Sequence, residues 1–218
     1  MKKTIAAISV LAIASFTGAS AARPDGNLGV DRIGAYGVYL NTSSSVADSD
    51  NDYTGAGFEI NKSLVADKSM GIDVGFDFTY LSNQNNKEFY GMDDYSYTLS
   101  TTFYRPGMIS PYFMVGVAYE TVDFSYTPST GLSDWSDDTF ILCGGIGMEC
   151  HLIPGLSVTP AISYGYDTRA DSDAGVLNFS LAGTYWFTER LGMQLSGDYQ
   201  TKNDIDQFAL ALGLSYHF

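Results

Sequence analysis

His151 and His217 are the only imidazoles of this chain, Cys143 and Cys150 its only thiols, and 25 acids stand against 11 lysines and arginines. Such a set offers two kinds of chemistry: proton transfer by a carboxylate or a histidine, and the holding of a hard cation by oxygen ligands. Asp93 and Asp94 form an adjacent acid pair. Asp48, Asp50, Asp52 and Glu59 fall at the first, third, fifth and twelfth positions of a calcium loop, but Tyr53 occupies the sixth, where the turn requires Gly. The two cysteines are seven residues apart on one expected strand, roughly 23 Å at about 3.3 Å per residue. They cannot pair, since a disulfide needs Cα atoms within about 7 Å; they read as small apolar fillers. His151 follows Cys150 directly and so points to the opposite strand face, which leaves no metal-ligand pair there.

The elements that carry these side chains are strands. Period-two alternation marks ten segments, at 32–41, 54–64, 71–81, 95–104, 111–125, 138–152, 156–167, 175–187, 192–201 and 207–218. In the third, Ile72, Val74, Phe76, Phe78 and Tyr80 share one face while Asp73, Gly75, Asp77 and Thr79 share the other. Longer polar connections, at 42–53, 82–94, 126–137, 168–174 and 202–206, alternate with tight turns at 65–70, 105–110, 153–155 and 188–191. This pattern predicts an all-β, antiparallel up-and-down barrel of ten strands with both termini on one side. The first segment mixes apolar and small residues on both faces, so eight strands is the alternative.

The ends of the chain say where such a barrel belongs. Lys2 and Lys3 precede an apolar stretch from Ile5 to Phe16 and the small residues Ala19 to Ala22, the order of a secretory signal, here expected over residues 1–21 with one barrel domain over 22–218. At the other end Leu214, Tyr216 and Phe218 close an alternating strand on a terminal aromatic. A signal followed by such a strand resembles the small outer-membrane β-barrel proteins of Gram-negative bacteria, the OmpA-like and porin-like membrane barrels. The resemblance implies outer-membrane localisation, surface-exposed loops, periplasmic termini, and partners in membrane lipid, lipopolysaccharide and the barrel-assembly machinery, which reads the C-terminal strand. No peptidoglycan-binding domain is expected after that strand, and the oligomeric state is left open. Without the signal, nine bases remain against 25 acids, a net charge of −16, which excludes nucleic acid as a partner through bulk charge.

With the polar face turned inward, Glu59, Asp73, Asp77, Glu120, Glu149 and Asp198 are expected to line a pore, with Asn61 and Gln194 beside them. An interior so acidic favours cations if it holds water; a ten-stranded barrel is also near the size that side chains can fill. Tyr104, Tyr112, His151, Trp186 and His217 fall near the periplasmic strand ends and are expected to constrict that mouth, leaving the lumen wider toward the cell surface. Fourteen acids, Asp93, Asp94 and Asp167 among them, are assigned to the outer loops and strand ends against Lys87, Arg169 and Lys202. No cofactor is called for, beyond Ca²⁺ or Mg²⁺ bridging those loops to lipopolysaccharide phosphates.

Two functions follow: a structural barrel or narrow cation-favouring porin-like channel, or a surface recognition protein acting through loop residues such as Phe89, Tyr90, Tyr126 and Trp135. Catalysis is not expected. The chain resembles the ten-stranded omptin proteases in inferred strand number alone, and both histidines map to the periplasmic end, out of hydrogen-bonding reach of Asp93 and Asp94.

Overall fold

The computed structural model describes residues 26–44, 49–83, 90–126, 134–168, 175–202 and 205–218. The expected signal and several loop residues, including Asp48, Lys87, Glu88, Phe89 and Arg169, lie outside them, as do the side chains of Tyr90, Tyr126 and Trp135. Ten strands run in chain order: β1 (Arg32–Ser44), β2 (Ser49–Ala66), β3 (Gly71–Asn83), β4 (Tyr90–Tyr104), β5 (Ile109–Tyr126), β6 (Trp135–Ile153), β7 (Leu156–Asp167), β8 (Gly175–Trp186), β9 (Leu191–Lys202) and β10 (Ile205–His217). Each pairs antiparallel with its sequence neighbours, and β1 pairs with β10 from Arg32↔His217 to Ser44↔Ile205. The sheet closes into a barrel of ten strands, so no edge is left with unpaired backbone groups, the condition for a sheet to cross lipid. Eight strands is ruled out.

Why these strands close around a polar interior is visible in their parity. Large apolar side chains are exposed on the outer face, among them Ile60, Leu99, Val115, Leu142, Leu181 and Leu212, while Ser, Thr, Asn, Gln and carboxylates fill the inner one. A water-soluble sheet would hide the first set. Here the apolar surface must meet hydrocarbon instead.

The outer face also shows where hydrocarbon ends. Phe58, Phe78, Tyr97, Tyr119 and Phe140 are directly opposed across β2 to β6. Successive ring centroids are 5.5, 5.0, 6.4 and 4.9 Å apart. Between this ladder and the rim that carries the termini, outward positions are largely apolar. Beyond it they turn polar: Asp52, Asp93, Asp123 and Asp138. From the ladder to the terminal rim, β5 runs from Tyr119 to Ile109, which matches the roughly 9–11 residues that one tilted crossing takes. The rest of the strand runs on beyond that length.

This explains where strand ends depart from the alternation. β2 begins at Ser49 rather than 54, and β4 at Tyr90 rather than 95. Above the ladder neither face has to be apolar, so the strands continue without the signal that reveals them.

Candidate functional site: the barrel interior

Inward parity gathers eight buried acids: Glu59, Asp73, Asp77, Asp94, Glu120, Glu149, Asp167 and Asp198. The six carboxylates singled out in the sequence as lumenal are all buried there. Asp94 and Asp167 are corrections: assigned above to the loop acids, they sit inside the barrel, 2 % and 0 % exposed. Asp93 and Asp94, adjacent in sequence, are separated to opposite faces because consecutive strand residues alternate.

Against these acids stands one buried base among the described residues, Arg32. Its Nη2 donates to Glu59 Oε2 at 2.7 Å, and Ser215 Oγ donates to Glu59 Oε1 at 3.4 Å. Parity could have found Arg32, since it shares the inward face with Gly34 and Tyr36; the mixed composition of that strand hid it. Asp77 is served by Tyr36, whose hydroxyl lies 2.8 and 2.9 Å from its two oxygens, and by Thr79 Oγ1 at 3.1 Å. Thr139 Oγ1 donates to Asp167 Oδ1 at 2.7 Å. A cavity of about 10 Å³ bordered by Tyr36, Glu59, Gln194, Ser196 and Ser215 has room for one water.

The terminal mouth is stoppered by the chain itself, which the sequence did not reveal. Residues Gly26 to Val30 lie inside the barrel ahead of β1. Glu149 accepts the amides of Asn27 at 2.5 Å and Leu28 at 3.1 Å, together with Ser157 Oγ at 2.8 Å. Asp73 accepts the Gly29 amide at 2.9 Å, Asn61 Nδ2 donates to the Val30 carbonyl at 3.0 Å, and Asn27 Nδ2 donates to Thr184. Leu28 packs with Tyr104 and Tyr112. Gly29 has φ 91°, a left-handed conformation that favours glycine. At Gly26 an added Cβ would stand 2.5 Å from the His151 ring and 2.6 Å from the Glu149 carboxyl, so a larger residue would push those side chains aside.

The five residues expected to narrow this mouth are placed unevenly. Tyr104, Tyr112 and Trp186 are buried in it. His151 lies 3.8 Å from Glu149, and His217 sits at the rim with Nδ1 3.1 Å from the Glu189 carbonyl.

The expectation of a lumen wider toward the loop end is not met. Leu40, Tyr53, Leu81, Met92, Val122 and Ala209 point inward and close that end as an apolar cluster. All five of the larger residues occupy inward positions of strand segments that extend past, or end at, the ladder's polar side. Alternation read only for polar-in could not register them.

Cys143 is buried inward and Cys150 half-buried; both are free thiols. Among the described residues no group of three or more His, Cys, Asp or Glu side chains is placed to hold a metal.

Known proteins agree with the architecture. The family model described as outer membrane protein beta-barrel domain matches residues 4–218. The translocator domain of the autotransporter NalP from Neisseria meningitidis superposes with a TM-score of 0.54 at 9% identity, over 87% of this chain and 88% of that one. For the β domain of the Bordetella autotransporter BrkA the TM-score is 0.54 at 9% identity, over 87% and 100%. Ail, the attachment invasion locus protein of Yersinia pestis, gives 0.48 at 14% identity, over 87% and 99%. No curated protein matches the sequence.

Proposed function

Because this chain belongs to the outer membrane protein β-barrel domain family, we propose that it is a narrow cation-favouring barrel of the bacterial outer membrane, held shut by its own N-terminal segment. The terminal rim faces the periplasm in this reading and the acid-bearing loops face outward. The observation that carries it is the imbalance of the interior, eight buried acids to one buried arginine among the described residues. An interior of that sign repels anions and recruits cations wherever water enters. Gly26 to Val30 at one end and the Leu40 to Ala209 cluster at the other keep water out. The outward residues Leu214 and Tyr216 with terminal Phe218 remain the segment through which assembly machinery would take up the chain.

The test is planar-bilayer recording under a KCl gradient. Wild type is expected to be silent. A variant that lacks residues 22–30 and carries Leu81→Ala and Met92→Ala is expected to conduct with a reversal potential on the potassium side. If that variant, shown to be folded by heat-modifiable gel migration, stays silent or prefers chloride, the barrel is structural and the reading fails.

A further inference from the structure

A second group of acids lies apart from the stopper and from the Arg32–Glu59 pair. Asp94 and Glu120, 2 % and 1 % exposed, point inward from β4 and β5. Ser96 is directly opposite Glu120 and Asp94 is opposite Val122, so the two carboxyls are diagonal neighbours on one face. No donor reaches either oxygen of Asp94, and the hydroxyls of Ser96 and Thr98, 2 % and 3 % exposed, make no hydrogen bond. Arg32 is engaged elsewhere, on Glu59. Ionised carboxylates only accept, and one with no donor on either oxygen, beside a second acid in a dry place, is costly unless something positive lies against it.

The geometry points to a divalent-cation site inside the barrel, formed by the carboxylates of Asp94 and Glu120 with the hydroxyl of Ser96, which lies between them. Two negative charges match one divalent ion, and carboxylate plus hydroxyl oxygens are the ligands a hard cation takes. Calcium fits better than magnesium. It accepts bidentate carboxylates in irregular geometry, whereas magnesium holds on to several waters, which the apolar side chains of Met92 and Val122 would have to accommodate. With two charged ligands the affinity belongs with weak extracellular sites, about 10⁻⁴–10⁻³ M. The site lies at and above the Tyr97–Tyr119 rung, inside the loop-end half, and a bound ion would tie β4 to β5 there. It is distinct from any bridging of outer loops to lipopolysaccharide, and it does not depend on whether the lumen conducts.

Calorimetric titration of the refolded barrel with CaCl₂ tests it, with thermal unfolding in EDTA and in calcium as a second readout. The expected result is one calcium per chain and an unfolding midpoint that rises with calcium. Asp94→Asn and Glu120→Gln should each weaken binding at least tenfold and unfold later than wild type in EDTA, because the buried repulsion is gone. Asp93→Asn and Asp123→Asn, which change only the outer face, should bind as wild type does. Absence of binding by wild type overturns the proposal, as does binding that survives both inner substitutions but is lost with the outer ones. A protonated-carboxyl infrared band in calcium-saturated wild type that disappears in Glu120→Gln would also overturn it, because the pair then shares a proton instead of an ion.

Discussion

Arg32 is the residue on which the charge balance of the interior turns. Its guanidinium, 2.7 Å from Glu59 and almost wholly buried, is paired with that carboxylate, while Asp73, Asp77, Glu149 and Asp167 accept from hydroxyls and from backbone amides of the N-terminal segment. Removing one partner of a buried pair strands the other charge. Arg32→Met should therefore destabilise the barrel by about 3–5 kcal/mol, and Arg32→Met with Glu59→Gln should recover most of that, since a neutral pair of similar volume has no uncompensated charge. Urea unfolding in detergent micelles, followed by loss of heat-modifiable migration, measures both. A second contact ties Asp31, the residue just ahead of β1, to β2. Lys62 donates to Asp31, and Ser63 N–H donates to Asp31 Oδ1 at 3.0 Å. The hydrogen bond from the Lys62 ammonium, more than any other influence, holds the Asp31 carboxyl below its ordinary value of 3.8. A depressed folded value means that the contact stabilises fully above the ordinary carboxylate range and is lost as pH falls through the lowered one. Protection of the Ser63 amide from hydrogen exchange should accordingly persist below the ordinary carboxylate pKa of 3.8 and collapse only as pH falls through the lowered value, while in Asp31→Asn it should be weak at every pH.

At the scale of the strand, the aromatic ladder joins five elements on the lipid side. Tyr97 stands between Phe78 and Tyr119, with centroids at 5.0 and 6.4 Å. Such pairs contribute beyond the area they cover, so a double-mutant cycle of Tyr97→Leu with Phe78→Leu should give a coupling of about 0.5–1.5 kcal/mol. A cycle pairing Tyr97→Leu with the remote Leu212→Ala should give none. The ladder also explains what was legible in the sequence. Below it, hydrocarbon on one side and a polar interior on the other impose strict alternation, which is why ten strands and four short turns could be read from runs such as Ile72 to Tyr80. Above it that constraint lapses, so the first residues of β2 and β4 read as loop, and Asp94, two residues beyond Ser96 on the same inward face, was assigned to the surface. The inward Leu40, Tyr53, Leu81 and Met92 were illegible for a related reason, since nothing local says that an apolar residue at an inward position faces a plug and not lipid. The stopper left no trace at all. Asn27, Leu28 and Gly29 have no period, and their place is fixed by Glu149 and Asp73, which are 122 and 44 residues away from the amides they accept.

For the molecule as a whole, the stopper and the apolar cluster are two barriers in series with Cys143 between them. That thiol faces inward from β6, directly opposite Gly116, and is 7 % exposed. Barriers in series predict sided access. A small cationic thiol reagent should leave Cys143 unmodified in the wild-type barrel reconstituted in vesicles, whichever side it is added to. Deleting residues 22–30 removes the amides that Glu149 and Asp73 accept and takes Leu28 from between Tyr104 and Tyr112, so the reagent should reach Cys143 from the terminal rim alone. Leu81→Ala with Met92→Ala truncates two of the larger members of the opposite cluster, and labelling should then come from the loop end alone. Labelling is best read in a Cys150→Ser background, because Cys150 points to the other face. A cationic reagent should react faster than an anionic one of equal size in both opened variants, since each must pass carboxylates, Asp73 and Glu149 at one end and Asp94 and Glu120 at the other. Equal labelling from both sides in wild type would show that neither end is closed. Labelling of wild type from the loop end alone would show that the apolar cluster is no barrier, and that the stopper by itself closes the barrel.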